Sequence, residues 1–389
     1  MRQPAPAPGA TLAPTPPMGW NSWNQFGPSV DEVLVRETAD ALVDTGLAEL
    51  GYRIVALDDN WHGGRDARDR LFPHPDRFPG GMQALAEYLH SRGLRFGIYA
   101  CAGERTCAGE PGSYGHEEVD AQTFAAWGVD FLKYDYCHAP EDYRQAIDRF
   151  AAMGRALRAT GRPIVYSICE WGPRAPWLWA RRLGGHLWRV SFDVKEVWDT
   201  PRDTNRGIGI LTAIDRMTGL EAHAGPGGRN DPDMLVVGLH GRGRVSRGRA
   251  CTADEYRTQM GMWSLLSAPL FLGCDVRAMD AQTREILGNP EVVAVDQDPL
   301  GLQAVRAVRV GACEVWRKPL ADGALALGLL NRGEAPAEIT APWTALDLDP
   351  HAECRVRDLW AREDAGAARE ALSRTVVPHA CALLRLAPT

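Results

Sequence analysis

Lysine is scarce in this chain: of 43 basic residues only three are lysines, and the rest are arginines. Other absences narrow the possibilities further. No apolar run approaches the roughly 20 residues that a membrane-crossing helix needs, which argues against a membrane role. No basic block tracks a phosphate backbone; 43 basic and 50 acidic residues are interspersed to a net charge of −7, so nucleic acid is a poor partner. The nine cysteines contain no zinc-type pairs, and their odd number leaves at least one thiol free. The opening MRQPAPAPGATLAPTPP lacks the apolar core of a secretory signal and reads as a Pro/Ala-rich tail, disordered over residues 1–15. On that basis the chain is expected to be cytoplasmic, with secretion the alternative for a chain that has lost a leader.

What remains is a globular composition, 45% hydrophobic and 24% charged, on a chain of 389 residues that is too long for one ordinary core. Eight apolar segments recur between residue 18 and about 300: MGWNSW, RIVALDDNW, RFGIYACAG, VDFLKYDYC, PIVYSICEW, LWRVSFDV, AHAGPGGRNDPDML and APLFLGCDV. Amphipathic stretches such as DEVLVRETADALVDTGLAELG and DYRQAIDRFAAMGRALRATG lie between them, with apolar residues three and four apart. That alternation predicts a parallel (β/α)8 barrel, a TIM barrel, over 16–302. From 303 to 389 short β-rich runs separated by turn residues predict a smaller antiparallel β-sandwich, with a possible helical piece around AREDAGAAREAL.

Acidic residues end one predicted strand after another: Asp58 and Asp59, Asp135, Glu170, Asp193, Asp233 and Asp275. In a parallel barrel these ends converge on the rim where active sites are built. A single such Asp is as readily a helix cap, and Asp275 is assigned that role. In VDFLKYDYC, Lys133 and Asp135 are two apart, so both face the barrel interior while Leu132 and Tyr134 face the other way. In a protein that otherwise uses arginine, a lysine there suggests a need for a compact ammonium, and it would favour the charged form of Asp135.

Aromatic residues join the acids: Trp20, Trp23, Trp61, Tyr99, Tyr134, Trp171 and Trp188. Indoles beside carboxylates are the makings of a sugar site, since ring faces stack on C–H faces and carboxylates accept hydroxyls. Trp23 and Trp61 are read as sugar contacts, Trp20 and Trp188 as core. Two carboxylates across a sugar are the usual machinery of glycoside hydrolysis. Asp135 then suits the nucleophile and Asp193 the acid.

The ordered motifs PPMGWNSWN, LDDNW, FGIYA, TCAGEPGSYGHEEVDAQTFAAWGVDFLKYDYC, YSICEWG, GPGGRNDPDMLVVG, APLFLGCDV and VVAVDQDPLG resemble glycoside hydrolase family 27, the α-galactosidase and α-N-acetylgalactosaminidase family. The similarity runs on through NRG, VRDLWA and VPHACALL. The resemblance implies a retaining mechanism without cofactor or metal, with Asp135 as nucleophile and Asp193 as acid/base. It also implies that Trp23, Asp58, Asp59, Tyr99, Lys133, Glu170, Arg189, Asp233 and Met234 line the sugar pocket. Cys107 and Cys137 match a family disulfide, and Glu170 matches the position that faces a bare hydroxyl at sugar C2. Departures from the family pattern are Asn60, Cys101, Phe192 and Arg229, together with Pro173 and Arg174 near the C2 position.

The expected activity is release of terminal α-linked D-galactose from an oligosaccharide or glycoconjugate. Within the family the alternatives are a β-L-arabinopyranosidase and an α-N-acetylgalactosaminidase. Outside it they are a catalytically silent sugar-binding protein and a metal-dependent lyase on the same barrel.

Overall fold

In a computed structural model the described residues are 12–200, 207–246 and 248–388. Eight parallel strands form one curled sheet: β1 (Met18–Asn21), β2 (Ile54–Ala56), β3 (Arg95–Cys101), β4 (Phe131–Asp135), β5 (Val165–Cys169), β6 (Leu187–Arg189), β7 (Arg229–Asp231) and β8 (Leu270–Leu272). Their order is β8-β1-β2-β3-β4-β5-β6-β7. The ring is completed just beyond β7, where Leu235 bridges Leu272 in parallel and its N–H donates to Phe271 O at 2.9 Å. All eight predicted segments contain a barrel strand.

Alternation fixes which side chains enter the barrel. Ile54, Ala56, Phe131, Val165, Leu187, Met234 and Phe271 form a separate apolar cluster inside it. Helices such as Glu32–Asp44 and Tyr143–Ala159 cover the outside, each started by an Asp side chain that accepts an N–H of the first turn.

The second unit is a six-stranded antiparallel sheet in the order β9 (Val305–Val310), β10 (Cys313–Pro319), β11 (Leu325–Asn331), β16 (Cys381–Pro388), β13 (Glu353–Asp358), β14 (Glu363–Arg369). It is faced by the pair β12 (Ala337–Pro342) and β15 (Ala371–Val376), and the two sheets enclose their own apolar core around Leu327, Leu329, Trp343 and Leu386. Thus the barrel with its β-sandwich is as expected, but the helical piece near AREDAGAAREAL is not. Those residues form β14 and the start of β15, because ladder pairing with β13 overrides the helix propensity of alanine.

Lys318 of β10 reaches into the barrel unit and donates to Ser264 O, Ser267 Oγ and Val295 O. At the floor of the barrel, Ala13 O accepts from Gly227 N at 3.0 Å and Pro14 O accepts from the Arg229 guanidinium at 2.7 Å. Residues 12–15, placed by composition in the disordered tail, are therefore docked; residues 1–11 lie outside the described residues. Among the described residues no helix is long and apolar enough to cross a membrane.

Candidate active site

The strand ends open into a cavity of about 250 Å³, lined by Trp23, Asn24, Asp58, Asp59, Tyr99, Cys107, Lys133, Asp135, Trp171, Arg189, Phe192, Asp193, Asp233 and Met234. At roughly 30 Å³ per water in the liquid, that is the space of about eight waters.

Lys133 and Asp135 both point inward, as their spacing predicted, but they are not partners. Lys133 Nζ donates to Asp58 Oδ2 at 2.7 Å, and Asn21 Nδ2 donates to the same oxygen at 2.7 Å. Burial opposes the charge most strongly, but Asp58 together with Cys169, Asp135 and Asp233 outweighs it and raises the pKa of the ammonium. Asp135 is anchored separately: Oδ1 accepts from the N–H of Tyr136 at 2.8 Å and Oδ2 from the Tyr99 hydroxyl at 3.2 Å. Burial pushes its carboxyl up to about 7 although Lys133 pulls the other way. Lys133 thus favours the charged form of Asp135 as expected, but desolvation is the larger effect and sets the net direction.

Asp193 lies in the loop after β6, its side chain 42% exposed at the mouth. Burial raises its pKa, but Arg189, Lys195 and Lys133 outweigh this and hold the carboxyl below the usual range. Arg189 is shared: its guanidinium lies 3.1 Å from Asp193 Oδ1 and 2.9 Å from Asp233 Oδ1. Asp233 Oδ2 in turn accepts from Val194 N at 2.7 Å, which pins the acid-bearing loop. Asp59 accepts from Asn60 N at 2.7 Å and from Ala108 N at 2.8 Å. Burial moves it up to about 6 against those hydrogen bonds.

Cys107 and Cys137 form the disulfide that the resemblance implied. Cys107 Sγ lies 3.5 Å from Asp135 Oδ2; as a disulfide sulfur it has no proton to donate and makes only a van der Waals contact there. Cys107, Asp135 and Cys137 are the one cluster of potential metal-ligating side chains among the described residues, and two of its three donors are consumed in that bond.

Two assignments change, those of Glu170 and Trp61. Glu170 is fully buried and does not line the cavity; its carboxylate accepts from Gly172 N at 3.0 Å, from Arg174 N and from the Arg174 guanidinium at 3.3 Å. Trp61 is also fully buried, donating Nε1–H to Tyr99 O at 2.9 Å and stacking on His62. It is a core residue. Tyr134 packs outward on Phe150 and Tyr166, as its parity in β4 predicted. Trp23 does line the cavity, while Trp20 and Trp188 are core, and Asp275 caps the short helix Val276–Ala278.

Of the departures from the family pattern, only Phe192 lines the cavity. Cys101 is buried behind it with its thiol on Cys137 O, Asn60 holds a left-handed turn at φ 77°, and Arg229 lies buried at the floor. Lining residues that the sequence reading did not commit to are Asn24, Trp171 and Phe192. Parity along β5 carries the signal for Trp171: Ser167 and Cys169 line the barrel interior, so the inward series continues to Trp171 and skips Glu170.

A parallel barrel whose mouth joins several carboxylates, two fixed cations and four aromatic side chains around a monosaccharide-sized cavity has the make-up of a glycoside hydrolase. Comparison with known proteins specifies which. The family model of α-galactosidase A matches residues 15–298, and that of the α-galactosidase C-terminal β-sandwich domain matches 310–386. An α-galactosidase of Cyamopsis tetragonoloba is 44% identical over 380 residues, 97% of this chain and 87% of the relative. The crystal structure of α-galactosidase I from Mortierella vinacea superposes with a TM-score of 0.91 at 35% identity, covering 97% of this chain and 98% of that one. That of the Saccharomyces cerevisiae α-galactosidase with raffinose gives 0.90 at 29%, with the same coverage. The chain belongs to the α-galactosidase family.

Proposed function

We infer that this protein hydrolyses terminal α-linked D-galactosides, with retention, through a covalent intermediate on Asp135 and with Asp193 as acid/base. The observation that carries the assignment of roles is the difference in depth. Asp135 is fixed on both oxygens at the end of β4, as a nucleophile must be. Asp193 is half-exposed at the mouth, where a leaving group departs and water enters. Asp58, locked by Lys133, and Asp59 offer acceptors for sugar hydroxyls, and keeping both favours galactose over β-L-arabinopyranose, which lacks the hydroxymethyl arm.

Glu170 gives no support to discrimination at C2, because its carboxylate is spent on the backbone of the next turn. Preference for galactose over N-acetylgalactosamine rests instead on likeness to α-galactosidases. The substrate is a galactoside. The Cys107–Cys137 disulfide supports an oxidising compartment rather than the cytoplasm.

A panel of nitrophenyl glycosides with and without EDTA, combined with NMR of the first-formed anomer, tests this reading. The α-galactoside is expected to turn over fastest, unaffected by chelator, with the α-anomer released first. Initial release of the β-anomer would remove the covalent intermediate, and loss of activity in EDTA would favour the metal-dependent alternative.

A further inference from the structure

The wall of the cavity beside Asp193 is aromatic. Trp171 and Phe192 both line the cavity, their ring planes only 18° apart and their centroids separated by 6.3 Å. Trp171 comes from the loop after β5 and Phe192 from the loop after β6, where it is the residue preceding Asp193. Both rings rest on the edge of the main core, yet each is only half-buried and presents surface to the cavity.

Two features hold this pair in place. Trp171 sits at φ 59° and Gly172 at φ 94°, so the chain reverses in the left-handed region immediately after β5. That region costs a non-glycine residue free energy and persists only where the surroundings enforce it. Here Glu170 enforces it, its buried carboxylate accepting from Gly172 N, Arg174 N and the Arg174 guanidinium. The second feature is a close backbone approach: a Cβ on Gly172 would stand 2.2 Å from Val190 O, so only glycine lets the Trp171 turn rest on the segment leading to Phe192. The two rings are thus set by one clamp and one backbone contact, which is preorganisation rather than chance packing.

We propose that Trp171 and Phe192 form the leaving-group subsite of this enzyme, accepting aglycones that present a flat apolar ring face next to the acid. This rests on the α-galactosidase reading and extends it from the sugar that is cleaved to the group that departs. The geometry makes three demands of the substrate: a galactosyl ring in the pocket, a glycosidic oxygen at Asp193, and a ring one bond or more beyond it.

The test compares benzyl α-D-galactopyranoside with methyl α-D-galactopyranoside. Protonated by Asp193, they leave as methanol and benzyl alcohol, which are of similar acidity and differ by the ring, so the ratio of their kcat/KM values isolates the subsite. The ratio is also independent of how much of a variant is folded. Phe192→Leu, which keeps bulk and removes the ring face, is expected to lower the benzyl-to-methyl ratio by about threefold to tenfold, mainly through KM for the benzyl glycoside. Phe192→Tyr is expected to keep the ratio within about twofold, since the ring face is retained. A ratio unchanged in Phe192→Leu overturns the subsite while leaving the α-galactosidase reading intact. A wild-type protein that hydrolyses neither glycoside overturns both.

Discussion

Lys133 Nζ stands 2.7 Å from Asp58 Oδ2, so an ammonium from β4 reaches past β3 to pair with the carboxylate after β2, and it acts on Asp135, its near neighbour along the strand, only through its charge. The pair is almost fully withdrawn from water, with side-chain exposures of 16% and 3%. Lys133→Arg should therefore be damaging despite keeping the charge. The planar fork needs room that this filled mouth lacks, and kcat/KM should fall by roughly a hundredfold, in line with the few kcal/mol of an overpacked, misdirected buried ion pair. Wild-type kinetics in that variant would show that the pair is incidental.

Asp135→Ala should lower kcat on aryl galactosides by about a thousandfold or more. Added azide, entering the space of the missing carboxylate, should restore part of the rate and yield the β-galactosyl azide. Asp193→Ala should instead spare substrates whose leaving group needs no protonation. Product analysis by NMR separates the two roles, and an α-configured azide from Asp135→Ala would exchange the assignments.

The pH profile follows from the two carboxylates together. Burial holds a proton on the Asp135 side up to about pH 7, whereas Asp193 is kept below the ordinary Asp range by Arg189 and its neighbours. Between these limits the pair carries one proton, which is what an acid with an ionised partner requires once substrate draws that proton toward Asp193. As pH rises through about 7 the proton is lost and kcat/KM should fall, while the acid limb should lie below the usual Asp value. A kcat/KM that stays flat from pH 6 to 9 would contradict this.

The disulfide closes a loop with a sequence separation of 30 and carries Ala108, whose N–H holds Asp59. In the chain-entropy account such a closure contributes about 3–4 kcal/mol. The double variant Cys107→Ser/Cys137→Ser should unfold at lower denaturant and show a raised KM, because Asp59 loses its fixed donor. Denaturation curves with and without reductant give the check; coincident wild-type curves, with reduction confirmed by thiol labelling, would refute the contribution.

Glu170→Ala should raise KM for the benzyl glycoside more than for the methyl one, since it frees the Trp171 turn, and Glu170→Gln should recover part of the difference. Equal effects on both substrates would mean that the carboxylate only supports folding.

The barrel was legible because alternation and strand-end acids are local features of sequence. Met18–Asn21 through Leu270–Leu272 all fall inside the apolar segments. Alternation also tells which side chains face inward, and it placed Lys133 and Asp135 correctly. It cannot tell which inward groups meet across the ring, so the Lys133–Asp58 pair stayed hidden. Glu170 was misplaced because a strand-end acid was weighed above its parity in β5. Trp61 follows two site acids in sequence, yet the turn at Asn60, φ 77°, sends its indole under Tyr99. The ordered segment 12–15 depends on Arg229, more than 200 residues away, and no composition rule anticipates such a partner.

The few lysines of this chain are all engaged: Lys318 is sealed at the junction of the two units, and Lys133 and Lys195 stand beside pocket carboxylates at 16% and 19% side-chain exposure. The folded surface therefore displays its lysine-free face to amine-directed reagents and to lysine-specific proteases. Of the three, Lys133 alone lines the cavity, so its acylation becomes a gauge of whether a sugar occupies the site, and coupling through that amine would proceed at the expense of the site itself.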